Sequence, residues 1–238
     1  MNSLNDNISF DGIDSIETVA TLYHEFFIRN DYDWWYKVQP NDIVVDIGAC
    51  NGMFTCHALD NGAKKVYSIE GNSKLIKTVI HNASPHIINK KESPLVPINC
   101  VIGNDPMYTR NVFGEGYDKA VPIRSFKDII KEYDITHIDY LKIDAEGAEY
   151  DILSEENLEF IKNNVKHIAV EVHLDCFEDA PVLFKKFRDN FLSKFDASKI
   201  KYLQEDSQQK MYDDAYLNSK WPLGWGSCWM IYICNKSL

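Results

Sequence analysis

Short apolar runs alternate with longer amphipathic stretches along the 238 residues. The runs at 42–47, 65–69, 95–102, 138–143 and 167–172 have the length and apolar content of buried strands, and 199–204 and 228–234 add two more. A short extra strand is expected at 119–123. The 3.6-residue period predicts helices over 52–61, 73–82, 126–133 and 181–195, and a broken one from 148 to 163. An opening helix is expected over 16–29, where Val19, Leu22, Tyr23 and Phe26 share a face and Ser15 stands at the N-cap. Five strands with helical crossovers make a doubly wound, mostly parallel α/β sheet. No helix is predicted between the last two strands, so the final one can insert antiparallel. Residues 1–38 read as an N-terminal helical cap on a domain spanning 39–238, and 103–119, with Gly103, Pro106, Gly114 and Gly116, as a loop.

Composition narrows the partners. With 45% hydrophobic and 26% charged residues the chain is an ordinary folded protein. Its net charge of −11 and the lack of a basic stripe argue against a nucleic-acid partner. The longest apolar run, 228–234, is too short to span a bilayer, and the polar, acidic start has no secretory apolar core. Six scattered cysteines without a C-x-x-C pair suit the reduced thiols of a cytoplasmic protein.

The stretch 44–55, VVDIGACNGMFT, runs from a strand through a glycine turn into a helix. A nicotinamide fingerprint would need glycine at 50 and 53, where Cys50 and Met53 stand. What is present is Asp46-x-Gly48-x-x-x-Gly52. An acidic residue there disfavours a pyrophosphate and favours a cationic group, such as an ammonium or sulfonium. Glu70 ends the second strand, 22 residues after Gly48, where a carboxylate can accept both hydroxyls of a ribose. Together these point to a nucleoside with a positively charged tail.

DIGACNGMFT, VYSIEGN and IDYLKIDAEGAEYDIL resemble segments of the FkbM family of S-adenosylmethionine-dependent methyltransferases, over roughly residues 40–175. The most specific element, KIDAEGAE at 142–149, looks like the family's K-I-D-x-E-G-x-E signature, and VEVH at 170–173 fits the segment that follows it. NCVIG at 99–103 is similar to the family's N-x-A-x-G, with Val101 in place of alanine. Gly71 stands where the family usually has proline after the glutamate. The resemblance implies the class I methyltransferase fold, Rossmann-like, with a seven-stranded sheet and an antiparallel last strand. It implies S-adenosyl-L-methionine as cofactor and O-methylation of a small-molecule or glycan hydroxyl.

Under this reading Asp46, Gly48, Ala49, Gly52, Glu70, Asn99 and Asp144 hold the cofactor. A carboxylate or imidazole must take the acceptor's proton; Asp144 is the first candidate, His173 the second, and Glu146 lies beside them. If the strand ending at His173 pairs with the one ending before Asp144, then Asp144, Glu146, Glu149, Glu171 and His173 share one neighbourhood. Glu146 and Glu149 also suit the start of a helix, and Lys142, on the same strand face as Asp144, suits an internal partner for a carboxylate. A divalent metal at this cluster is possible, but no tight ligand spacing calls for one. Acceptor contacts are sought in 31–36 (Trp34, Trp35), in 103–119 and near Trp225. A non-catalytic nucleoside-binding protein of the same fold and a nicotinamide-dependent oxidoreductase are the competing readings.

Overall fold

The computed structural model describes residues 8–13, 15–88, 90–103, 121–174, 180–204, 207–218 and 228–235. The expected loop beyond Gly103, Cys176, Trp221 and Trp225 lie outside the described residues.

Seven strands form one sheet: β1 (Ile43–Ile47), β2 (Lys65–Glu70), β3 (Leu95–Asn99), β6 (Ile138–Ile143), β7 (Val165–His173), β8 (Ile200–Tyr202) and β9 (Cys228–Cys234). Their order is β3-β2-β1-β6-β7-β9-β8. All neighbours run parallel except β9, which lies antiparallel between β7 and β8. This is the doubly wound class I methyltransferase architecture, with its last strand inserted antiparallel. The central strands read as continuous apolar runs because both faces are covered. One core contains Val45, Ile47, Leu141, Ile143 and Phe184. The other contains Val44, Phe54, Val66, Tyr140 and Tyr232.

Several details depart from the expected elements, among them a short helix at Ser84–Ile87. The third strand splits: β3 ends at Asn99, and β4 (Val101–Ile102) pairs instead with β5 (Ile123–Arg124). The Asn99 side chain explains the break. Its Nδ2 donates 2.8 Å to the Glu70 carbonyl and its Oδ1 accepts 3.0 Å from Ser73 Oγ, tying the strand end to β2. The opening helix is α-helical only over Ile16–Tyr23, capped by Ser15, and widens to a π-helix over His24–Arg29 before left-handed Asn30. The 181–195 helix likewise starts as α at Ala180–Lys186 and continues as π at Phe187–Phe191. Finally, two five-residue helices, Ser207–Met211 and Asp214–Asn218, stand between β8 and β9 where none was expected. Each is too short to show a helical period.

Among the described residues no helix is long and apolar enough to cross a membrane.

Candidate active site

The parallel register brings the carboxyl ends of β2, β1, β6 and β7 side by side. Asp46 sits opposite Lys142, Ile47 opposite Ile143, and Glu70 opposite Asn99. Order reverses between β1 and β6, so the crevice outside those ends is the expected ligand site of such a sheet. A cavity of about 290 Å³ opens there, lined by Gly48, Cys50, Glu70, Gly103, Asp144 and Glu146, with Thr18 and Leu22 of the opening helix at its side.

The loop after β1 is left-handed at Gly48 (φ 74°), Cys50 (φ 51°) and Gly52 (φ 85°). Only glycine suits position 48: a Cβ there would lie 1.7 Å from the Asp144 carbonyl oxygen. The backbones of the two motif segments touch at this point, and the Asp144 N–H donates to the Ile47 carbonyl at 3.1 Å. At Gly52 a Cβ would come within 3.0 Å of the Val79 Cα, so this glycine lets one helix approach another.

Glu70 is buried at the cavity wall. Its Oε2 accepts the Cys50 N–H at 2.8 Å and its Oε1 the Asn72 N–H at 2.7 Å. Each oxygen keeps a further lone pair for a ligand hydroxyl. Burial pushes its carboxyl up to about 7, against the pull of those two N–H groups and of Lys142.

The sequence reading sets Asp46 against a ligand cation; the structure gives it Lys142 instead. Asp46 is fully buried, accepts 2.7 Å from Thr55 Oγ1 and lies 3.3 Å from Lys142 Nζ. The same ammonium donates 2.6 Å to the Gly48 carbonyl and lies 3.6 Å from Asp144 Oδ2. Burial alone would lower the Lys142 pKa, but Asp46 and Asp144 hold it above its ordinary value, so it stays charged. Asp46, Ala49, Gly52 and Asn99 thus shape the cavity from behind, whereas Gly48, Glu70 and Asp144 line it.

The acidic cluster assembles on the β6–β7 side. Buried Glu149 is its tie: Oε2 accepts the Gly147 N–H at 2.7 Å, and Oε1 accepts the His173 N–H at 2.7 Å and faces His173 Nδ1 at 3.1 Å. His173 Nε2 then lies 3.6 Å from Glu146, 3.8 Å from Asp144 and 4.0 Å from Glu171. Burial would discharge this ring. Glu149, then Glu146 and Asp144, overcome it and hold the ring well above its ordinary value as an imidazolium. Such a ring has no lone pair with which to take a proton. Burial, then Asp144, pushes Glu171 up to about 7. Glu25 rises to a similar value through burial and then Glu171 and Asp144.

Asp144, Glu146 and His173 place one ligand-type atom each within 4.8 Å of one another, the residues here that could surround a metal ion. The charged ring already puts a cation among these carboxylates.

Two residues here were not anticipated, Glu25 and Tyr32. Tyr32 donates 3.1 Å to Asp144 Oδ2, across 112 positions of sequence, and lies 3.4 Å from Glu171 Oε2. The aromatic run at 31–36 was its sole trace in the sequence. Its neighbours Trp34 and Trp35 do not line the cavity; they sit near Tyr232 and Lys201.

A family profile described as methyltransferase FkbM domain matches residues 46–197. Among solved structures, the chain is similar to a methyltransferase FkbM from Methylobacillus flagellatus KT (16% identity, TM-score 0.48), covering 70% of this chain and 42% of that one. It is also similar to Aeropyrum pernix fibrillarin, crystallised with natively bound S-adenosyl-L-methionine (14% identity, TM-score 0.45, 91% of this chain and 74% of that one). A third is the fibrillarin pre-rRNA processing protein of Methanococcus jannaschii (14% identity, TM-score 0.45, 84% and 69%). No curated protein matches the chain by sequence.

Proposed function

The chain belongs to the FkbM methyltransferase family, and from that premise we propose that it methylates a hydroxyl of a sugar, glycan precursor or other small metabolite, using S-adenosylmethionine. One observation carries the reading: Glu70 and Asp144 line a single cavity whose floor is a glycine loop that admits no Cβ at position 48. The donor set fits a nucleoside. Glu70 keeps lone pairs for ribose hydroxyls, and the left-handed loop exposes backbone for close approach. Gly48 and Glu70 would hold the cofactor, which when bound supplies an electrophilic methyl group on a good leaving group.

The chain's own residues then have positioning and proton transfer to perform. Asp144, a quarter exposed at the cavity mouth, accepts the acceptor's hydroxyl proton on a carboxylate oxygen and orients that hydroxyl. Lys142, held charged, stands 3.6 Å behind this carboxylate. His173 and Glu149 fix the loop that carries Glu146 and Asp144. The surrounding carboxylates disfavour an acceptor with phosphate or carboxylate next to the reacting hydroxyl, by like-charge repulsion.

Calorimetry with S-adenosylmethionine and S-adenosylhomocysteine tests the premise, and binding of neither ends it. A panel of glycans and hydroxylated metabolites with labelled methyl donor tests the acceptor class. Label appearing only on amines would replace hydroxyl transfer with nitrogen transfer.

A further inference from the structure

Tyr32 lies outside the segment matched by the family profile, which begins at residue 46, yet it reaches the centre of the acidic cluster. Its backbone is held at two points. The Tyr140 hydroxyl donates to the Tyr32 carbonyl, and the Tyr232 hydroxyl donates to the carbonyl of Asp31. Both donors come from sheet strands, β6 and β9. The ring stacks on Phe26 at 5.1 Å, meets Phe54 at 5.6 Å, and lies with its centroid 5.5 Å from Lys142 Nζ. Only 3% of the residue is exposed. A side chain fixed on so many sides has one soft degree of freedom left, the hydroxyl rotor.

That hydroxyl has one proton and two carboxylates within reach. Asp144 Oδ2 at 3.1 Å is nearer than Glu171 Oε2 at 3.4 Å. Lys142 gives its shortest hydrogen bond to the Gly48 carbonyl and pairs with Asp144 by charge alone, at 3.6 Å. His173 Nε2 stands farther still, at 3.8 Å. Among the described residues, Tyr32 is therefore the side chain that hydrogen-bonds the Asp144 carboxylate. Asp144 follows the last residue of β6 in a loop where Glu146 (φ 49°) and Gly147 (φ 105°) turn sharply.

We infer that Tyr32 is a positioning residue: it pins the Asp144 carboxylate in the rotamer that faces the acceptor, so the segment preceding the family domain completes the acceptor half of the site. The inference rests on the transferase reading for what Asp144 does, but the pinning is a property of the protein alone.

The test compares the full chain with Tyr32→Phe, which keeps the ring and removes only the hydroxyl. Three-bond couplings across the Asp144 Cα–Cβ bond are read by NMR, with the signal assigned through Asp144→Asn. S-adenosylhomocysteine affinity is measured alongside. We expect one rotamer in the unaltered protein, averaged rotamers in Tyr32→Phe, and affinity for S-adenosylhomocysteine preserved within about twofold. With any acceptor from the hydroxylated panel, kcat falls at least about tenfold while the acceptor KM changes little. A single Asp144 rotamer in Tyr32→Phe overturns the inference, as does loss of nucleoside binding together with turnover. If the unaltered protein binds no S-adenosylhomocysteine, the transferase reading fails while the couplings still decide the pinning. Should Tyr32→Phe not fold, the Tyr32 hydroxyl proton of the unaltered protein is followed directly. It must exchange slowly and shift in Asp144→Asn; a signal that shifts only in Glu171→Gln overturns the assignment.

Discussion

Glu70→Gln separates what the buried carboxylate costs the fold from what it gives the ligand. In the folded protein burial raises the Glu70 carboxyl from 4.5 to about 7. The native state therefore holds its proton more tightly than the unfolded chain does. The associated stability is complete below pH 4.5 and is lost as pH rises through about 7. At about 1.4 kcal/mol per pH unit the loss comes to roughly 3 kcal/mol. Glutamine does not ionise, so Glu70→Gln escapes it. The variant incurs a nearly pH-independent loss of about 1–2 kcal/mol, because one amide oxygen cannot serve both the Cys50 and Asn72 N–H groups. Urea unfolding of both proteins without ligand, from pH 4.5 to 8.5, gives the difference curve. It should rise in the variant's favour by roughly 3 kcal/mol and flatten above pH 8. Glu25 and Glu171 also titrate near 7 but are common to both proteins and largely cancel. Binding should move the opposite way: S-adenosylhomocysteine binds the unaltered protein more tightly as pH rises through 7, and at pH 8 the variant loses about 10- to 100-fold in affinity. A flat stability difference, or equal affinity at pH 8, would refute the placement of a costly ionised carboxylate against the ribose.

Gly48→Ala should lower stability by about 3 kcal/mol or more and abolish nucleoside binding, read by thermal unfolding and calorimetry, since the added methyl meets both a left-handed φ and the Asp144 carbonyl. Lys142→Met leaves buried Asp46 without its cation and should cost about 3–5 kcal/mol in urea unfolding at pH 7.5. His173→Gln should likewise destabilise at neutral pH: the raised ring pKa means its contribution is complete below 6.5 and lost only as pH climbs through the higher folded value. Chelation with EDTA should leave turnover and nucleoside affinity unchanged, with total metal followed by mass spectrometry; loss of activity restored by one divalent ion would reverse that expectation.

The sheet was legible because its strands are short apolar runs bounded by glycine or charge, and the parallel register then follows from the crossovers. That register brings Asp144 beside Glu171 and His173 at the strand ends, and Glu149 joins them from the helix that follows β6. Asp46 was harder. Its neighbour across the ladder is Lys142, and nothing in either strand's alternation says that the two charges satisfy each other inside the sheet. His173 reads in sequence as a proton acceptor, but its charge state depends on Glu149, Glu146 and Asp144, which reach it from the segment after β6. Tyr32 was illegible for a simpler reason. The turn at Asp31–Asp33 has no periodicity, and its partners on β6 and β9 lie 108 and 201 positions away from the residues they hold.

The close approach of Gly48 to the Asp144 carbonyl makes the proposed nucleoside wall and the proposed acceptor wall two sides of one seam. A displacement of either loop is felt at once by the other, with no intervening side chain to absorb it. Filling the ribose side should therefore narrow the range of positions open to the proton-accepting side, and donor binding before acceptor binding becomes the order this backbone favours.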